Sequence, residues 1–239
     1  MASGFGDGTY LELSDKLDSY IQEVLSVSDK LTRSEEDARK RMLSNVVSAT
    51  GVGMTVLAMV SLLSAQPPET IARVLRVAKP EFANYGYADL LRGTKLLLLH
   101  EAVYQFGHGL RSVLAVLDPV NREMHQSKVI VDLLVRTDIL DAERKLRPFL
   151  VAIELRNALR GAGIHFSPND PTRTFHINGM EYMFQHGRRV QCDSWGHLLH
   201  LLAALLKVVD EVLSSPVVAS LPFVPDARWT STSDLDIWR

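Results

Sequence analysis

The sequence contains a single cysteine, Cys192, among its 239 residues. One cysteine allows no internal disulfide, which excludes a small secreted scaffold stapled by disulfides and is typical of a reducing compartment. Residues 1–8 have neither a basic start nor an apolar core, so we expect no signal peptide here. These absences together predict a cytoplasmic protein.

The chain also lacks an excess of charge of either sign. It has 26 Lys and Arg residues against 28 Asp and Glu residues, a net charge of −2. The chain therefore has no net positive charge that would attract nucleic acid, and an RNA partner would have to be held by a local cationic patch. The sequence contains no Walker loop, dinucleotide glycine fingerprint or paired-cysteine metal motif, so we expect no cofactor and no metal.

What the sequence does contain is helical apolar spacing over most of its length. Hydrophobic residues make up 46% of the chain, enough to fill a core. Apolar side chains recur every three or four residues, which predicts amphipathic helices. Capping signals predict helix starts at Thr32–Glu35, at Asp118-Pro119, at Asp141 and at Asp193 or Ser194. The last helix, 195–213, has leucine or valine on nearly every face and should lie at the centre of a bundle.

One segment has the signature of a β-hairpin. Residues 175–177 and 180–184 alternate apolar and polar side chains around Asn178-Gly179, the preferred pair for a type I′ turn. A second turn at His186-Gly187 would return 189–192 as a short third strand. The predicted fold is therefore an all-α helical bundle with one β-hairpin inserted before its last long helix. We expect one domain, 1–213, and a proline-containing tail, 214–239, laid on the domain or flexible.

The segment from Met42 to Pro68 contains no charged residue. Residues 46–63 are long enough to span a bilayer and follow a basic run, 39–41. Small and hydroxyl-bearing residues recur along them, which dilutes the apolarity. We therefore predict a buried bundle helix in a soluble protein and keep a membrane anchor as the alternative.

Two arginines interrupt an apolar helical stripe near the middle of the chain. Arg156 and Arg160 follow Phe149 and Ile153 on one face, and His165 lies just beyond the helix end. A buried unpaired guanidinium is costly, so these arginines must be paired or must line a polar cleft. Arginine matches the geometry of phosphate, and histidine can move protons near neutral pH, so the set could cleave RNA.

Arg160 and His165, separated by four residues, and the pair Arg156-Asn157 resemble the signature of the HEPN family (higher eukaryotes and prokaryotes nucleotide-binding domain). The resemblance covers about residues 118–213, although the two halves of the motif are out of register. It implies a helical, homodimeric, metal-independent endoribonuclease, or an inactive relative, of a toxin–antitoxin or antiphage system. On this reading His165 handles the proton, Arg160 stabilises the phosphate, and Arg156 and Asn157 orient the site.

Other groups give weaker indications of function. Arg188 and Arg189 on the predicted turn would contact the RNA backbone if the nuclease hypothesis holds. Cys192 with His197 and His200 has a conceivable metal spacing, but hydrogen-bonded histidines are favoured because no fourth ligand is evident. His100 and His108 are predicted at the edge of the core.

A second hypothesis of a different class remains open. The protein could be a non-catalytic interaction or scaffolding bundle, with a protein partner such as an antitoxin, whose hairpin and tail form the docking surface. In that case the arginines would be salt-bridged, to Glu154 or Asp141, and His165 would be a surface residue of a loop.

Overall fold

The computed structural model describes residues 10–119, 126–167 and 172–226. Within these ranges the chain is helical apart from one two-stranded antiparallel hairpin, which confirms the predicted all-α bundle with a hairpin before the last long helix. The elements are α1 (Tyr10–Asp29), α2 (Ala38–Ser64), α3 (Pro68–Val74), a 3-10 turn (Pro80–Phe82), α4 (Ala83–Leu117), α5 (Gln126–Arg136), α6 (Ala142–Arg160), β1 (Thr172–Ile177), β2 (Met180–Gln185), α7 (Trp195–Ser214) and α8 (Pro216–Ala219).

The helices pack around one continuous hydrophobic core. Helix α2 lies against α1 and α4, and α4 also contacts α5, α6 and α7. Helix α7 packs against α1, α4 and α6, with buried side chains on several of its faces. The prediction that this helix is central is therefore confirmed.

A buried ion pair starts α2, and the predicted capping box at Thr32–Glu35 is wrong. The cap is Asp37, whose carboxylate accepts a hydrogen bond from the backbone N–H of Arg39 at 2.9 Å. The same carboxylate pairs with the guanidinium of Arg39 at 2.7 Å, and both side chains are fully buried. The helix begins later than predicted because this pair supplies stronger charge-assisted bonds than a threonine hydroxyl could.

The first part of the tail, up to Asp226, is a strap across the start of α2. Arg39 donates hydrogen bonds to the carbonyl oxygens of Val218 and Leu221, and the N–H of Val224 donates to Asp37. The buried Asp37–Arg39 pair therefore ties α2 to the residues after α7. Residues 227–239 lie outside the described part of the chain.

Helix α2 is buried on one side only. Among the described residues it is the helix long and apolar enough to cross a bilayer by length and composition, with a mean hydropathy of 2.0. Only 28% of its most apolar window is buried, because the side facing away from α1 and α4 is exposed. The prediction of a buried helix is correct for one face and wrong for the other.

The hairpin forms as predicted. Asn178 and Gly179 have φ values of 46° and 87°, the left-handed backbone that a type I′ turn requires. The predicted third strand at 189–192 is wrong. In its place Arg189 forms an isolated bridge with Ile164, because the chain after β2 returns to the loop that follows α6.

Two predicted helix starts need correction, and a proline lies within one of the helices. Asp141 occupies the N-cap position of α6, but its side chain makes no capping hydrogen bond. Pro148 lies inside α6 without ending it. Asp118 and Pro119 are not helical, and Asp118 accepts a hydrogen bond from Arg136; α5 is described from Gln126 onward, and residues 120–125 lie outside the described part of the chain.

Candidate functional site

The end of α6 presents a cationic surface, here called the arginine face and made of Arg156, Asn157 and Arg160 with His100 of α4. Arg156 is 3% exposed, although its neighbour Asn157 and the terminal Arg160 are exposed. The Nε and Nη2 atoms of Arg156 donate to Oδ1 of Asn157 at 3.3 and 2.9 Å. Asn157 therefore fixes the orientation of the Arg156 guanidinium, and one helical turn separates Arg156 from Arg160.

The groups of the arginine face influence each other electrostatically. Burial, and then the like charge of Arg160, lowers the pKa of Arg156. Burial is the largest effect on the pKa of His100 and lowers it; Glu101 raises this pKa by less, and Arg156 and Arg160 each lower it. His100 is therefore held in its neutral form at pH 7, with its ring stacked on Tyr104 at a centroid distance of 6.2 Å.

His100 joins this face because α4 packs against α6, a contact between segments that are distant in the sequence. The prediction that His100 and His108 lie at the core edge is confirmed, since both are half-buried. Their association with the arginines was missed. The available signal was the spacing of His100, Tyr104 and His108, which places three ring-bearing residues one turn apart on one side of α4.

His165 lies in a closed environment beneath the turn that follows β2. Its backbone N–H donates to the carbonyl of Arg188 at 3.0 Å, and its carbonyl accepts from the N–H of Gly187 at 2.8 Å. Its ring contacts that of Phe184, with centroids 5.3 Å apart. The side chain is 1% exposed, so His165 is not the surface loop residue of the interaction-protein hypothesis.

The His165 ring has an unusual polar environment. Its Nδ1 atom lies 3.6 Å from Oε2 of Glu154, and neither ring nitrogen makes a hydrogen bond to the described residues. The other carboxylate oxygen of Glu154 accepts a hydrogen bond from Arg173 of β1 at 2.5 Å. Glu154 is thus engaged by the hairpin arginine, and the described contacts include no ion pair from Arg156 or Arg160 to it.

The described contacts of the predicted catalytic groups fall into two sets. Glu154 and Arg156 are two residues apart, so their side chains leave the helix axis about 200° apart. His165 contacts Glu154, whereas Arg156 and Arg160 are near enough to His100 of α4 to lower its pKa. Asn157 therefore joins Arg156, Arg160 lies one turn further along α6, and the described polar contact of the His165 ring is to Glu154.

The predicted RNA contacts, Arg188 and Arg189, are exposed at the turn that covers His165. The side chain of Arg189 is 80% exposed and lies 3.8 Å from the carboxylate of Asp193. The backbone of Arg188 is bonded to His165, so the turn links an exposed cationic surface to the buried imidazole.

The groups considered for a metal site are occupied by protein partners. His197 Nδ1 lies 2.8 Å from the hydroxyl of Ser194, and His200 Nδ1 lies 2.9 Å from that of Tyr182. Burial raises the pKa of the Cys192 thiol to about 11, so the metal-binding thiolate is disfavoured. Within the described ranges no group of three or more potential ligands is placed to hold a metal ion. The favoured prediction of hydrogen-bonded histidines is confirmed.

The chain matches no protein-family model, no curated protein and no solved structure. Its function has to be inferred from the chemistry of its own residues.

Proposed function

We propose that this protein is a HEPN-like RNA-binding protein, a metal-independent endoribonuclease or its inactive relative in a defence or stress system. The observation that carries the proposal is the arginine face. There two guanidinium groups one turn apart share the end of α6 with an amide and a neutral imidazole. This surface is the local cationic patch that a chain of net charge −2 needs to hold RNA.

The electrostatics of the face favour a phosphate ligand. Burial and, to a smaller extent, the like charge of Arg160 lower the pKa of Arg156, and an anion bound nearby would favour its charged form. The exposed guanidinium of Arg160 can donate paired hydrogen bonds to phosphate oxygens, while the buried Arg156, held by Asn157, adds positive charge one turn away. Exposed Arg188 and Arg189 would add phosphate contacts that increase affinity without reading sequence.

Binding and cleavage are separable in this arrangement. The arginine face is open at Asn157 and Arg160, whereas His165 is covered by the turn at Gly187 and Arg188. Cleavage by His165 therefore requires that this turn move away from the ring. An active enzyme would bind RNA on the arginine face and open the turn, and an inactive relative would only bind.

The test combines RNA binding and cleavage with the purified full chain. Labelled single-stranded RNA is titrated in EDTA, and products are examined for 2′,3′-cyclic phosphate ends. The variants are Arg160→Ala and His165→Ala, with Arg147→Ala as control because Arg147 is a partly exposed arginine of the same helix, with 41% of its side chain accessible. We expect Arg160→Ala to weaken RNA binding at least tenfold, His165→Ala to remove cleavage with binding retained, and Arg147→Ala to change neither.

The outcomes separate the possibilities. Binding without cleavage would identify the inactive relative. Cleavage that disappears in EDTA would exclude the metal-independent mechanism, and cleavage that survives both Arg160→Ala and His165→Ala would place the site elsewhere. No RNA binding at low salt would refute the proposal.

The second candidate is the non-catalytic interaction protein, and one feature favours it. A cavity of about 480 Å³ lies between the hairpin tip, the start of α6 and α7. Its lining combines apolar Ile177 and Val208 with charged side chains of both signs, Arg144 and Lys207 beside Asp141 and Glu211, a mixture suited to a polar peptide segment of a protein partner. Absence of RNA binding together with a stoichiometric protein complex lost in Lys207→Glu would favour this function.

A further inference from the structure

The exposed side of α2 carries a second packing stripe, here called the outer stripe and made of Ser48, Val52, Thr55, Met59 and Leu62. Val52, Met59 and Leu62 are 51%, 52% and 73% exposed. The members follow each other at intervals of four, three, four and three residues, the spacing by which one helix packs along another.

The buried side of α2 uses the same spacing inside the fold. Leu43, Val46, Thr50, Gly53, Leu57 and Val60 are buried and follow intervals of three, four, three, four and three. This inner stripe faces α1 and α4. Val46 and Ser48 differ by two residues, so the two stripes lie on opposite sides of the helix. Helix α2 therefore has the pattern of a middle helix for which the described elements supply a partner on one side.

From this pattern we infer that the outer stripe is a homodimer contact, in which α2 of a second copy of this chain packs against it across a two-fold axis. Two identical stripes can pack together without charge repulsion, because no charged residue occurs from Met42 to Pro68. Thr55 can enter a dry contact, because its hydroxyl already donates to the carbonyl of Gly51 at 3.0 Å.

Gly51, at the edge of the outer stripe, supports close approach of another helix. A Cβ atom added there would meet nothing within 4 Å, and Gly51 needs no positive φ, so nothing inside the described fold requires glycine. Glycine in a helix destabilises it relative to alanine, but it allows a second backbone to come close. Gly93 of α4 is equally open and provides a matched control, since it lies outside the outer stripe.

A membrane fits these observations less well. Helices that lie on a bilayer carry lysine and arginine on their polar face, and α2 has neither after Arg41. A bilayer-spanning α2 would have to leave α1 and α4, which cover its inner stripe. The outer stripe is only about 21 Å long, so one helix packed along it would bury less area than an interface of standard size. We therefore expect a weak dimer.

The test measures the mass of the full chain by sedimentation equilibrium from micromolar to several hundred micromolar concentration. We expect dimerisation that Met59→Lys weakens at least tenfold. Leu140→Lys should leave it unchanged, although Leu140 is an even more exposed apolar residue, at 81%. Gly51→Ala should also weaken the dimer, whereas Gly93→Ala should not, and both should raise the melting temperature. Circular dichroism verifies that the variants are folded.

Three results would overturn the inference. The first is a monomer at every concentration, and the second is a dimer that Met59→Lys and Leu140→Lys affect equally. The third is a monomer that sediments with phosphatidylglycerol–phosphatidylcholine vesicles and loses this binding in Met59→Lys, which would make a membrane the occupant. The inference does not depend on the proposed RNA function, because no residue of the arginine face takes part.

Discussion

The Nδ1 atom of His165 lies 3.6 Å from the Oε2 atom of Glu154, in a pocket that exposes only 1% of the histidine side chain. This distance is too long for a hydrogen bond, although it is short enough for electrostatic attraction. Burying polar nitrogens without partners costs free energy, and such groups are concentrated at functional sites. We therefore expect the His165 nitrogens to lower the stability of the fold while serving its function.

His165→Phe should separate stability from function. The apolar ring removes two buried nitrogens that lack hydrogen bonds, so we expect the free energy of unfolding to stay equal or to rise by about 1–3 kcal/mol. The same change should abolish any RNA cleavage. Urea denaturation followed by circular dichroism measures the first effect. A loss of more than about 2 kcal/mol would mean that the ring nitrogens make bonds that stabilise the fold.

Arg39→Ala should be among the most destabilising single substitutions in the chain. It leaves the Asp37 carboxylate buried without its counter-ion and breaks the hydrogen bonds to the strap, so we expect a loss of about 3–5 kcal/mol. Lys40→Ala is the control. Lys40 pairs with the exposed Glu35, and removing this surface pair should cost less than about 1 kcal/mol. Equal effects of the two variants in thermal unfolding would contradict the prediction.

Ionisation of Asp37 should also make the free energy of unfolding depend on pH in the acidic range. Burial alone would raise its pKa, but the hydrogen bonds from Arg39 and Val224 lower the pKa below its usual value. Because the folded pKa is lowered, the ionised Asp37 stabilises the protein at pH values above the ordinary aspartate pKa of ~3.9. This contribution is lost as the pH falls through the folded pKa. Unfolding free energy measured from pH 6 to 2.5 should therefore fall steeply below about pH 4. Asp37→Asn should flatten this fall, and an unchanged slope would show that other carboxylates cause it.

Arg160→Ala should change how salt affects RNA binding. Each phosphate contact releases counterions, so removing one should reduce the slope of log affinity against log salt by about 0.7 for single-stranded RNA. Arg147→Ala has the same net charge as Arg160→Ala, and it should preserve the wild-type slope. Fluorescence anisotropy between about 25 and 200 mM salt covers the useful range. Parallel slopes for wild type and Arg160→Ala would mean that Arg160 contacts no phosphate.

The sequence was sufficient for features that depend on neighbouring residues. Helical spacing identified the bundle, and Asn178-Gly179 identified the hairpin turn, because only a few residue types adopt two successive positive φ values. Charge and hydrophobic content bounded the kind of protein, because both depend on composition and not on how the chain folds. These signals are local or compositional, so they can be recognised in the sequence alone.

Features that join distant segments required the tertiary structure. The sequence placed Arg156, Arg160 and His165 close together in the chain, but it did not show that the His165 ring is buried against Phe184 beneath the turn at Gly187. His100 reaches the arginine face only because α4 packs on α6. The Asp37–Arg39 pair and the exposed side of α2 were likewise unforeseen, since burial depends on which elements cover a surface. Local order follows from short-range sterics and periodicity, whereas the site depends on long-range packing, and only the tertiary structure decided that.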